Sequence, residues 1–179
     1  MNAAVEFSRP VRIDAIGETG RVETVTAQAA ERAALATRFD LIAIDRLDAT
    51  AELKRKGEEV FVSGTFAASV VQACVATGEP VPATIAQPFA LKFVPALVVE
   101  GDEVELDAAD LDVVAYDGAA VDLGEAVAET MALALDPFPR CADAEAVLRA
   151  AGVKAEEDVE PAPGAFAGLA ALRGKLGSS

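Results

Sequence analysis

"DLIAIDRLDATAELKRKGEEVFVSGTFAASVVQACVAT", residues 40–77, decides the fold class. Apolar and polar residues alternate on either side of "KRKGEE" (54–59), and a period of two belongs to strands whose faces meet different surroundings. A polar turn containing a glycine joins such strands as a hairpin. Toward the N-terminus, "RPVRIDAI" (9–16) and "RVETVTA" (21–27) alternate in the same way, with Gly17 and Gly20 bounding a turn. Between them and the hairpin, "QAAERAALATRF" (28–39) is rich in helix formers, with Leu35 and Phe39 on one side and Thr26 as a plausible cap. Toward the C-terminus, "ATIAQPFALKFV" (83–94) alternates again. Pro80, Pro82 and Pro88 flank or interrupt it, which places part of that strand at a sheet edge.

Residues 95–120, "PALVVEGDEVELDAADLDVVAYDGAA", change character, with eight acidic residues between 100 and 117 and no basic one. Charges that dense stay in water, so a solvated loop or exposed edge is expected. "DLGEAVAETMALALDPFPR" (122–140) then reads as a helix. Asp122 is a good N-cap, and Glu125 three residues on completes an acidic version of the capping box. Leu123, Val127, Met131 and Leu135 form an apolar stripe that Leu133 broadens, and Pro137 and Pro139 forbid continuation. A second helix is expected at about 142–151, closed by Gly152. Then follow an acidic flexible linker and a short amphipathic end piece, "AFAGLAALRGKL" (165–176).

Strands dominate the first half and helices the second, and the short gaps between strands favour antiparallel hairpins. The expected fold is α+β: a curved antiparallel β-sheet, with barrel-like closure left open, packed with two or three helices. One domain spans residues 1–152, and 153–179 hold the linker and terminal segment.

Composition limits the chemistry. The chain has 179 residues, 53% of them hydrophobic, which is enough for a real core. It contains no histidine, which removes Ser-His-Asp and Cys-His nucleophile systems and histidine-ligated metals. "GETG" (17–20) lacks the spacing and the Lys-Ser/Thr of a phosphate-binding loop. Carboxylates for acid–base work would be Asp122 with Glu125, or members of the 100–117 run, but on so acidic a surface the solvated-face reading outweighs the catalytic one, which needs partial burial. "CVAT" (74–77) has Thr77 where a C-x-x-C pair would place its second cysteine, so Cys74 reads as a strand residue. Cys74 and Cys141 are two free thiols far apart in sequence, with no metal and no cofactor expected. Neither a secretion signal nor a membrane span is evident, and the expected location is the cytoplasm.

Net charge is −15, unevenly spread: residues 1–99 carry 10 basic and 12 acidic side chains, whereas 100–179 carry 5 and 18. Such a surface opposes broad binding to phosphate backbones but permits a local contact. Lys54, Arg55 and Lys56 form the basic triplet, fit either to touch phosphates from a hairpin tip or to keep that turn solvated. Arg140 serves either as a partner contact or as a complement to the negative end of the helix before it.

Three stretches resemble the YceD-like family, proteins linked to accumulation of large-subunit ribosomal RNA. They are residues 122–140, with the Asp-Leu-Gly-Glu start and Pro-rich end; "VQACVATGEPVPATIAQPFALKF" (71–93), with its Cys-containing strand, Glu-Pro turn and Phe-rich strand; and "LATRFDLIAIDRLDATAELKR" (35–55). The positions matching the family's motifs are Cys74, Glu79, Pro80, Asp122, Leu123, Gly124, Glu125, Pro137 and Pro139. The resemblance implies a non-catalytic ribosome-biogenesis factor acting near precursor rRNA or a basic ribosomal protein. Some members carry C-x-R-C where this chain has Cys74, Val75, Ala76 and Thr77, so the arginine and second cysteine are missing here. A competing reading from charge alone is an acidic module that shields a basic partner. A carboxylate-dependent hydrolase is a distant third.

Overall fold

Residues 6–96 and 112–154 are described by a computed structural model. They fall in two compact units, divided between Cys141 and Ala142. The first unit is built on a five-stranded sheet of β2 (Arg21–Thr26), β3 (Ala43–Lys56), β4 (Glu59–Ala73), β5 (Pro80–Pro95) and β6 (Asp112–Tyr116), in that spatial order. The sheet is open, with β2 and β6 at its edges, and so is not a barrel. Every neighbouring pair is antiparallel except β5 with β6, which is parallel over Leu91–Pro95. The sheet is thus mostly antiparallel, as expected, with this one parallel pair at its β6 edge. A parallel neighbour needs a long return connection, and the residues between β5 and β6 provide one.

The period-two reading of residues 40–77 holds along both strands. Leu47, Ala49, Ala51 and Leu53 of β3, and Val60, Val62, Phe66, Ala68 and Val70 of β4, are buried on one face. Ile44 is also buried, three residues before Leu47, because the pairing slips between Ile44 and Arg46. This bulge consumes one residue and resets the alternation. Midway along β4, Gly64 allows the chains to approach closely: a Cβ there would lie 2.2 Å from the Thr50 carbonyl oxygen. Phe66 and Phe89 meet edge-to-face beside it, ring centres 6.3 Å apart.

Before the sheet, β1 (Pro10–Arg12) pairs with β7 (Ala120–Asp122), and a short 3-10 turn (Ile13–Ala15) replaces the second half of the strand expected over 9–16. Helix α1 (Ala29–Arg38) is capped by Gln28, not Thr26, which lies in β2; the Gln28 N–H donates to Glu31 at 2.6 Å. Helix α2 (Leu123–Leu133) follows β7 directly. Leu123, Val127 and Met131 are buried in the one cluster that also holds the sheet's inner face and Leu35. Each such side chain contributes roughly 1.5–3 kcal/mol. Leu133 is 84% exposed, so it widens the apolar surface toward solvent. Along β5, Pro80, Pro82 and Pro88 pair with β4 on one side only, since β6 begins opposite Leu91; the missing N–H groups are tolerated at that open edge.

In the second unit, α3 (Ala144–Ala150) ends as expected at Gly152, whose φ is 86°. Gly152 and Val153 donate to the Arg149 and Leu148 carbonyls, the pairing of a Schellman cap. The expected linker lies almost wholly, and the terminal segment entirely, outside the described residues. So do residues 100–111 of the acidic run.

Candidate functional site

The hairpin and the motif positions occupy opposite ends of β4. Fifteen residues of strand separate these ends by about 45–50 Å. At one end, Lys56 pairs with Glu59 across a two-residue turn, and Gly57 takes the positive φ of 65° that its first position requires. The basic triplet there is not uniform. Arg55 is half-buried and donates to the Gly57 carbonyl at 2.7 Å and the Ile13 carbonyl at 3.4 Å, bracing the turn against residues 13–17. Lys54 is paired with Glu52 at 2.7 Å. Lys56 is exposed and, among the described residues, makes no ion pair. Of the triplet, Lys54 and Lys56 remain to present charge at this end, among Glu52, Glu58 and Glu59, with Lys92 of β5 paired to Glu59 beside them.

At the other end, Cys74 opens the turn between β4 and β5 and is not a strand residue. Its N–H donates to Glu79 and its carbonyl accepts from Gly78, both at 2.8 Å, closing a tight loop that Pro80 leads into β5. Against this loop lies the segment leaving α2. The Val75 N–H donates to the Pro139 carbonyl at 2.9 Å, and the Gln72 side chain, buried, donates to the Asp136 carbonyl at 2.8 Å. Asp136 also accepts from the Phe138 N–H at 2.9 Å, shaping the Pro137–Pro139 stop into a turn. These bonds place Cys141 beside Cys74: the Cys141 N–H points at the Cys74 sulfur from 3.3 Å, and Thr77 Oγ1 lies 3.3 Å from the Cys141 sulfur.

The two thiols that sequence separates are thus brought together. Chiefly the Cys141 N–H, and next the Thr77 hydroxyl, hold the Cys74 thiolate and lower its pKa to about 6, although burial opposes the charge. Thr77 sits where a second cysteine would sit in C-x-x-C, and its hydroxyl takes part in the cluster. That position in "CVAT" was the only sequence signal available. Nothing in the spacing points to Cys141 or Gln72. Among the described residues no three His, Cys, Asp or Glu side chains converge as a metal site. Arg140 is exposed and lies seven residues past the end of α2, too far along the chain to complement its last turn.

The remaining motif positions form a lock at the start of α2. Asp122 accepts from the N–H groups of Gly124 at 3.0 Å, Glu125 at 3.1 Å and Arg9 at 2.8 Å, so the cap also pins the N-terminal strand. Gly124 leaves room for that strand, since a Cβ would sit 2.3 Å from the Phe7 carbonyl oxygen. Glu125 does not close a capping box. It takes Arg38 of α1 in a two-pronged pair at 3.0 and 2.7 Å, tying the helices together. Asp122 and Glu125 are spent on structure and do not converge as an acid–base pair. Other carboxylates line an open groove of about 540 Å³ between α2 and β5–β6, where Glu129 and Asp112 are both exposed. No described helix is long and apolar enough to cross a membrane.

A family model described as large ribosomal RNA subunit accumulation protein YceD matches residues 62–173, covering all of the motif positions. No curated protein and no solved structure matches the chain.

Proposed function

Because that match spans more than half its length, the chain belongs to the YceD family, and from that premise we propose that it is a non-catalytic ribosome-biogenesis factor in the cytoplasm. It supports accumulation of large-subunit rRNA by contact with the precursor or with a ribosomal protein. The family match is the observation that carries this reading. Two features agree with it: the motif carboxylates are consumed by structure, and the net charge of −15 restricts any RNA contact to a few cationic places. Lys54 and Lys56 at one end of β4, and Arg140 at the other, are the cations we place in that contact. Their separation favours a local touch over a continuous phosphate-binding groove.

Depletion of the protein followed by gradient sedimentation tests the proposal. A diminished large-subunit peak with altered precursor rRNA is expected; unchanged profiles would sink the reading. A second reading, an acidic module that shields a basic partner, rests on the exposed Asp112 that begins β6, on Asp117 just after it and on the acidic second half of the chain. Pull-downs at low and high salt separate the two. Recovery of a basic protein that is lost at high salt supports shielding, and recovery of RNA alone removes it.

A further inference from the structure

The cluster of Cys74, Cys141 and Thr77 stands outside the main hydrophobic cluster, yet it assembles two sulfurs from opposite halves of the chain. A sulfur 3.3 Å from the other cysteine's own amide nitrogen keeps the two Cα atoms within about 7.5 Å, because the intervening bonds add only about 4 Å. Disulfides accept Cα separations up to about 6.8 Å, so bridging needs little backbone movement. The segments that carry the sulfurs are held together by the Val75–Pro139 and Gln72–Asp136 hydrogen bonds, which do not depend on the thiols.

We propose that Cys74 and Cys141 form an oxidisable dithiol whose reaction partner is a low-molecular-weight disulfide, and whose product is an intramolecular Cys74–Cys141 disulfide. Access divides the roles. Cys74 is 3% exposed and Cys141 is half-buried, so the external disulfide meets Cys141 first. The Cys141 thiol gives up its proton to water and attacks one sulfur of the reagent, forming a mixed disulfide and expelling a small thiolate, which takes up a proton in turn. The Cys74 thiolate then attacks the Cys141 sulfur, breaking the mixed disulfide and releasing the second small thiolate. Two protein sulfurs are oxidised by two electrons, and the reagent's two sulfurs are reduced. Thr77 is a positioning residue: its hydroxyl lies 3.3 Å from the Cys141 sulfur and lines the gap that the two sulfurs close. This inference stands apart from any role in ribosome assembly.

The test treats the reduced full-length chain with oxidised glutathione, blocks remaining thiols with N-ethylmaleimide, and maps peptides by mass spectrometry. The expected product has neither alkylation nor a glutathione adduct, carries a cross-link between the Cys74 and Cys141 peptides, and reverts with dithiothreitol. Cys74→Ser is expected to stop as a stable glutathione adduct on Cys141. Thr77→Val, which keeps both sulfurs, is expected to slow cross-linking at pH 5, where a higher Cys74 pKa leaves less thiolate, and to change it by no more than about twofold at pH 7. Wild type that accumulates the adduct without cross-link, or cross-links only in urea, overturns the proposal. So does a chain whose thiols resist both reagents until a chelator removes a bound metal. The wild-type map decides the matter even where a variant fails to fold.

Discussion

The two ends of β4 hold their side chains by different means. At the hairpin, Lys54–Glu52 and Lys92–Glu59 are ion pairs between partly exposed groups, each worth roughly 0–1 kcal/mol. At the cysteine end, a buried amide and four backbone groups join segments that lie more than sixty residues apart in sequence. Breaking any one of these leaves a polar group without its partner, at roughly 1–3 kcal/mol. Charge is therefore easy to vary at the first end, and geometry is hard to vary at the second. An end that tolerates change suits a contact tuned by electrostatics. An end that does not suits a reaction needing two atoms in fixed register.

The largest effect expected is on what the ends share. Gly64→Ala sets a Cβ against the Thr50 carbonyl oxygen of the adjacent strand, and backbone cannot rotate aside as a side chain does. A loss of about 3 kcal/mol, the upper part of the overpacking range, should appear in urea unfolding, with both ends loosened together. If only one end responds in hydrogen exchange, β4 does not act as a single frame. Gln72→Ala follows, at about 2 kcal/mol, because the Asp136 carbonyl loses its donor. It should speed alkylation of Cys74 and leave exchange at the Lys56–Glu59 turn unchanged. Equal changes at both ends would refute the independence claimed for them.

How far these ends were legible in the sequence follows from the same contrast. The hairpin is local: alternation and a glycine suffice to place Lys54, Lys56 and the turn, and the same logic places β5's prolines at an open edge. The α2 lock was half legible. Asp122 announced the cap, but Glu125 turned to Arg38, a partner 87 residues away that no spacing rule reaches. The bulge at Asp45 was hidden because a one-residue slip leaves apolar residues on both sides of it. The cysteine pair was least legible, since its formation depends on where α2 ends and how the Asp136–Cys141 segment turns back. Two thiols 67 residues apart carry no mark of proximity.

A smaller effect, confined to the cysteine end, is a pH dependence. The Cys74 thiol titrates at about 6 when folded, below its ordinary value. A lowered folded pKa adds stability that is fully present above the ordinary thiol range and is lost as pH falls through about 6. Wild type should therefore gain stability relative to Cys74→Ser as pH rises from about 6 to about 9. With no histidine in the chain, few other side chains titrate near the middle of that window. The carboxylates of Glu6, Asp14 and Glu31 are shifted downward, away from it: Glu6 chiefly by its own backbone hydrogen bond, Asp14 by Arg12, Glu31 by Arg9. Parallel urea midpoints for the two proteins across the window would show that the sulfur is not held as a thiolate.

The smallest structural effect belongs to the hairpin, and there the comparison is sharpest. Lys54→Gln with Lys56→Gln removes the two lysines of the triplet, while Arg55 keeps its bonds to Gly57 and Ile13 and Lys92 keeps its pair with Glu59. Stability should stay within about 0.5 kcal/mol, as for surface substitutions generally. If this end touches precursor rRNA, affinity falls and the slope of log affinity against log salt shrinks by about 2, one counterion for each lysine. The same pair of changes should leave the rate of Cys74–Cys141 cross-linking untouched. An unchanged salt slope with unchanged stability would clear the hairpin of any phosphate contact and leave Arg140, at the far end of β4, as the cation to test next.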